Sequence, residues 1–225
     1  MSLAIIRVIA IVLFLYLTWR NLRGDYPEDK LISFSWISVL FFLVFGRIGF
    51  GLLNLGVWKT WGDWISVWQK PGMDYLIATS GFVIAVLWIS KVNQWKFFAF
   101  IEDNLKNFLV FITVLMIDEV VRTKFSVESL AYILVFVIVY MISLWLSKKY
   151  RSFVWYRSGK KGFVFLSISF LVFLLITGIL FWFKNSLFLV ILSGLISLIS
   201  LVGLFILGDV FQSLAVNKRR KNETG

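Results

Sequence analysis

Histidine and cysteine are both absent from the 225 residues. That removes the imidazole base, the thiol nucleophile and every Cys or His metal site, so no metal or cofactor is expected. Chemistry then falls to arginines and carboxylates set within apolar sequence. The first such place is Gly46-Arg47-Ile48-Gly49-Phe50-Gly51. A charge inside a bilayer is costly and marks a site by default. Its glycines let another backbone or a ligand come close. A guanidinium offers a planar fork of donors that suits a phosphate. The alternative is structural: Arg47 snorkels or pairs with an acid, and the glycines only pack helices. The second place is Asp118-Glu119-Val120-Val121-Arg122. Either acid can meet Arg122 on one helix face. A carboxylate withdrawn from water has a raised pKa and can serve as a base. The same residues equally form an interfacial ion pair. Asp74, at a junction between loop and apolar run, is a third candidate base, where water is expected to keep any shift small.

The elements that must position these residues follow from composition. Hydrophobic residues make up 60% and charged residues 16%, against about 25% charged in an average soluble domain. So little charge cannot cover a soluble surface, and the chain reads as an all-α integral membrane protein. A bilayer core takes about 20 apolar residues of helix. Gly162–Phe183 and Leu187–Gly208 meet this without a charge, joined by Lys184-Asn185-Ser186. Ser129–Ser147 and Tyr75–Ser90 are shorter uncharged runs. Leu31–Trp58 is interrupted by Arg47, and Met1–Trp19 by Arg7. The weakest run, about Leu105–Val121, is charged at both ends. The expectation is one membrane domain of seven transmembrane helices over residues 1–216, with a basic cytoplasmic tail at 217–225. No positive cluster precedes the first run and no small-x-small site follows it, so it reads as a retained span.

Charge placement supports this division. Assigning alternate loops to opposite sides puts 16 basic residues on one side and 5 on the other, with Arg7 and Arg47 inside spans. Such a split predicts an N-out/C-in topology. The net charge of +11 is then a topology signal that faces anionic headgroups, and no nucleic acid is expected. Leu31–Gly46 rises about 24 Å at 1.5 Å per residue, which places Arg47 in the outer half. Arg7 reads as an outer-interface anchor. Trp58, Trp61, Trp64 and Trp68, spaced 3, 3 and 4, form one stripe of an outer interfacial helix between spans 2 and 3, lying in the headgroup zone.

From Leu31 to Lys91 the chain resembles the bacterial prolipoprotein diacylglyceryl transferase family. The likeness rests on Phe45–Asn54, with its Gly-Arg-hydrophobic-Gly motif, the Trp58–Trp68 loop and the turn Pro71-Gly72-Met73. The resemblance implies a multi-pass protein of the bacterial plasma membrane. It implies an anionic phospholipid partner and a lipoprotein substrate, with Gly46, Arg47, Gly49, Asn54 and Arg122 as lipid-binding residues. The chain departs from the family where members carry His-Gly-Gly after the Met. Here it reads Asp74-Tyr75-Leu76. The second family signature, Gly-Arg-x-Gly-Asn, is replaced by Met116–Arg122. The expectation is a diverged, lipid-binding, transferase-like protein whose standard activity is altered or lost. Two alternatives stand beside it. One is an active transferase using Asp74, Asp118 or Glu119 as base; the other is a scaffold subunit with a membrane-protein partner.

The topology has a direct check. Phosphatase and fluorescent reporters fused after residues 126, 155 and 185 should read outside, inside and outside. An active phosphatase at 155 contradicts the parse.

Overall fold

A computed structural model describes residues 3–54, 73–150, 161–183 and 186–208. Seven α-helices lie among them. They are α1 (Leu3–Leu22), α2 (Glu28–Leu53), α3 (Tyr75–Val92), α4 (Phe97–Arg122), α5 (Val127–Lys149), α6 (Phe163–Trp182) and α7 (Leu187–Leu207). Six are long and apolar enough to cross a membrane; α4 is not one of them. The protein is therefore an all-helical, multi-pass membrane protein. The expected interfacial helix with Trp58, Trp61, Trp64 and Trp68 lies outside the described residues, as does the tail at 217–225.

Local chemistry fixes the helix ends. Pro27 precedes α2, and Glu28 and Asp29 occupy its first turn, where carboxylates oppose the positive end of the helix dipole. Arg20, Lys91, Arg122 and the pair Lys148 and Lys149 occupy the last turns of α1, α3, α4 and α5. Asp74 and Ser126 cap α3 and α5 through their side chains. The ends of α3 and α4 share one turn geometry. Trp95 N–H donates to Ser90 O at 2.8 Å, and Phe125 N–H to Val120 O at 2.9 Å. Each turn places a non-glycine residue in left-handed backbone, Gln94 at φ 58° and Lys124 at φ 52°, which lets the last carbonyls find donors.

The chain divides into two compact units, residues 1–115 and 116–225. In the first unit α2 has two faces. Trp36, Leu40, Val44, Ile48 and Leu52 recur every fourth residue and are exposed, whereas Leu31, Phe34, Ser38, Phe42, Gly46 and Gly49 are buried. The buried face meets α3 closely, with side chains of one helix seated where the other has glycine. A Cβ on Gly81 would lie 2.7 Å from Phe41 O, and one on Gly49 would lie 2.6 Å from Ile77 Cδ1. Phenylalanines fill the rest of this core. Phe82 stacks on Phe108 with centroids 3.9 Å apart, and Phe14 and Phe42 each reach Phe111 at 5.1 Å.

The structure corrects the expected start of α4. It begins at Phe97 rather than near Leu105, so Glu102, Asp103 and Lys106 lie on the helix and not in a loop. Its residues in the first unit are buried on most sides. Phe100, Ile101, Leu105, Phe108, Leu109 and Ile112 are buried, and so are Asn104 and Asn107. A helix surrounded by protein need not be apolar all round, because its neighbours can satisfy its polar groups. This is why its hydropathy is weak.

In the second unit α6 and α7 form a hairpin. Ile168, Val172, Ile176 and Leu180 of α6 are buried at every fourth position, and Ser193, Ser197, Ser200 and Leu204 of α7 at spacings of three or four. Thr177 and Ser193 hydroxyls meet at 2.8 Å, and Ser197 Oγ donates to the Phe170 carbonyl at 3.2 Å. Small residues let the backbones approach, and their hydroxyls bond across the gap.

The close crossing predicts that Gly81→Ala destabilises, by about 1–3 kcal/mol from overpacking, because the obstructing Phe41 atom is backbone. Gly178, with nothing within 4 Å of its Cβ position, is the control. Gly178→Ala should hold or raise the melting temperature in detergent.

Candidate functional site

The site is built at one end of the α2–α3 pair. Arg47 lies six residues before the end of α2 and is only 4% exposed. Its sequence neighbours explain the geometry. Ile48 belongs to the exposed stripe, while Gly46 and Gly49 face α3. A Cβ on Gly46 would lie 2.5 Å from Met73 Cγ and 2.8 Å from Ala78 Cβ. The absent side chain lets the chain entering α3 pass directly over α2. As a result Asp74 N–H donates to Gly46 O at 3.0 Å. Glycine is required here for close approach.

Asp74 is thereby brought against the glycine–arginine segment. It is partly buried, and its Oδ1 accepts the Ile77 N–H at 2.8 Å as the N-cap of α3. Burial raises its carboxyl from the ordinary carboxylate value, opposed by the backbone hydrogen bonds of Ile77 and Leu76. The upward direction follows from the fold, because Asp74 is folded into the α2–α3 contact. A partly desolvated carboxylate at this place can accept a proton.

The other candidate residues have different surroundings. Asn54 is exposed and spent on capping, with its Nδ2 donating to Phe50 O at 3.0 Å. The acid cluster of α4 belongs to the second unit. Arg122 is exposed and forms an ion pair with Glu119, one contact being Nε to Oε2 at 3.0 Å. This is an i,i+3 pairing that the spacing allowed. Asp118 is buried at 1% exposure. Among the described residues no group of three or more acids could hold a metal ion.

Sequence reasoning missed a second polar feature of the first unit. Thr18 Oγ1 donates to Asn104 Oδ1 at 3.2 Å, Asn107 Nδ2 to the same oxygen at 3.0 Å, and Asn21 Nδ2 to Asn107 Oδ1 at 2.7 Å. Nearby, Tyr26 OH donates a long bond of 3.4 Å to Asp103 Oδ2, and burial followed by the Asp103 charge pushes that phenol up. The available signal was the i,i+3 pair Asn104 and Asn107 among Leu105, Phe108 and Leu109, a polar stripe on one helix face.

Asp74 sets a pH dependence of fixed sign. A raised carboxyl binds its proton more tightly in the folded chain, so its contribution is fully present below the unfolded pKa. It is lost as pH rises through the folded value. Asp74→Asn keeps an acceptor for Ile77 N–H and should flatten this part of the stability–pH curve. Asp74→Ala should lose the cap as well, at a cost of about 1 kcal/mol. Thermal melts of the three proteins between pH 4 and 8 check both expectations.

Comparison with known proteins adds no family: no protein-family model matches the chain, and no curated protein matches it.

Proposed function

We propose that this chain is a phospholipid-binding protein of the bacterial plasma membrane, with seven spans in an N-out/C-in arrangement. Its site is the Gly46–Arg47–Gly49 segment. The chain is read as a diverged relative of the prolipoprotein diacylglyceryl transferases whose standard activity is altered or lost. One observation carries the lipid reading. A permanently charged guanidinium sits buried within a helix that otherwise meets the demands of a bilayer. Retaining such a charge is costly, and a function that needs it offsets that cost. A guanidinium has five donors, enough to serve a protein acceptor and two phosphate oxygens together. An anionic phospholipid supplies those oxygens at the depth of a helix end.

A specific observation favours a second reading, an active transferase with rearranged groups. The family reaction joins a lipoprotein thiol to the diacylglyceryl group of phosphatidylglycerol and releases glycerol phosphate. It needs a base for the thiol proton and a cation for the leaving phosphate. Asp74, with its carboxyl raised by burial and its amide on Gly46 O, is a candidate for the first task, and Arg47 for the second.

Two measurements separate these readings. In detergent, phosphatidylglycerol should raise the melting temperature of the parent protein and leave Arg47→Ala unmoved. If Arg47 serves only a buried ion pair, Arg47→Ala costs roughly 3–5 kcal/mol by the same amount with and without lipid. A labelled lipobox peptide in mixed micelles should show no lipid transfer. A shift abolished by Asp74→Asn establishes the second reading instead.

A further inference from the structure

The first unit holds buried polar groups that the Arg47 segment does not use. Asn104 is 0% exposed. Its Oδ1 accepts from both Thr18 and Asn107, while its Nδ2 has no hydrogen-bond partner among the described residues. Turning the amide over does not cure this. Asn107 and Asn21 would have to turn with it, and Asn104 Oδ1 would then occupy the unpartnered position. In either orientation one amide atom of Asn104 is buried without a protein partner.

Ser38 presents a second such group. Many helix hydroxyls bond back to their own helix, as Ser35 Oγ does to Leu31 O at 2.8 Å and Thr113 Oγ1 to Leu109 O at 2.6 Å, whereas Ser38 Oγ and Ser90 Oγ do not. Ser38 Oγ is buried without any partner among the described residues. The two groups share a register. Phe34 and Phe42 flank Ser38 at four residues on either side, and Phe100 and Phe108 flank Asn104 in the same way. Phe34 meets Phe100 at 4.7 Å, and Phe42 meets Phe108 at 6.0 Å. Ser38 and Asn104 therefore occupy matching positions between two ring contacts. Phe82 of α3, 6.4 Å from Phe34 and 3.9 Å from Phe108, bounds the same layer. A hydrogen-bonded chain ties this layer to the surface, since Asn21 is exposed and its amide is bonded to Asn107, which is bonded to Asn104.

We propose that Ser38 and Asn104 form an internal binding site for a small uncharged hydrogen-bonding molecule, with water as the occupant, tied through Asn107 to the exposed Asn21. An Nδ2 donor and a hydroxyl that can donate or accept supply two of the 2–4 polar partners that a buried water uses. Thr18, Ser38, Asn104 and Asn107 are all neutral, so a charged ligand would give up hydration for no counter-charge. The site is independent of lipid binding at Arg47.

The test compares one substitution at two buried positions of α2, in the purified full chain. Ser35→Ala removes a hydroxyl already bonded to its own helix and sets the effect of serine-to-alanine in this helix. With water bound, Ser38→Ala deprives a buried water of a partner, and its melting temperature should fall below that of Ser35→Ala. A dry site gives the opposite sign, because removing an unsatisfied hydroxyl relieves a penalty. A Ser38→Ala melting temperature equal to or above that of Ser35→Ala overturns the proposal. A map that resolves ordered water should also show a peak about 2.6–3.2 Å from both Ser38 Oγ and Asn104. A Ser38 hydroxyl turned onto Phe34 O, with no peak, overturns it independently.

Discussion

The contact between α2 and α3 is the constraint on which the first unit depends. Lipid tails are as apolar as leucine, so burial of apolar surface does not by itself drive helices together in a membrane. What remains is dispersion, which falls off within fractions of an ångström, and polar contacts. Gly46, Gly49 and Gly81 remove the atoms that would hold the two backbones apart. The gain is more than packing, because the approach brings Asp74 N–H onto Gly46 O and fixes where α3 begins. The position of Asp74, its burial and its raised carboxyl all follow from glycines that have no functional group. Arg47 is held at the same crossing by its place in the sequence between two of them.

Polar residues in this protein are sorted by what surrounds them. The α2 stripe from Trp36 to Leu52 is exposed and wholly apolar. Asn104 and Asn107 sit instead on the helix with the most protein around it, where Thr18 and Asn21 supply hydrogen bonds. An unmet amide in hydrocarbon has no solvent to turn to. The same residues on α2's exposed stripe would be untenable. Within the first unit, aromatic contacts carry the bulk of the filling, and edge-to-face or offset ring pairs add about 0.5–1.5 kcal/mol each beyond burial. They fix register as well, since each ring contact pins one turn of one helix to one turn of another.

The helices were legible where lipid dictates composition. The uncharged runs around α6 and α7 predict those helices to within a residue or two, because an exposed face in hydrocarbon tolerates no charge. The start of α4 was not legible by that rule, since Glu102, Asp103 and Lys106 interrupt its apolar run and hydropathy cannot tell a buried polar residue from a loop. Arg47 stood out as a charge among glycines, and the fold buries it. The neighbourhood of Asp74 was hidden. A single sequence shows a carboxylate at a loop end, and only the fold shows Gly46 beneath it. The Arg122–Glu119 pair was legible from spacing, because i,i+3 residues share a helix face.

The hairpin of α6 and α7 bears on how the protein is made. If α7 entered alone, Ser193 would keep only its bond to Val190 O in its own helix, and Ser197 would carry a hydroxyl into lipid without its α6 acceptor. In the folded chain Thr177 meets the first and the Phe170 carbonyl takes the second. The second helix begins at Leu187, shortly after the first ends at Trp182. The pair can therefore leave the insertion machinery already zipped, as a single body whose polar groups are matched before lipid reaches them. Assembly of the second unit then becomes the docking of a preformed hairpin, and the order of synthesis, with α6 emerging just before α7, suits that route.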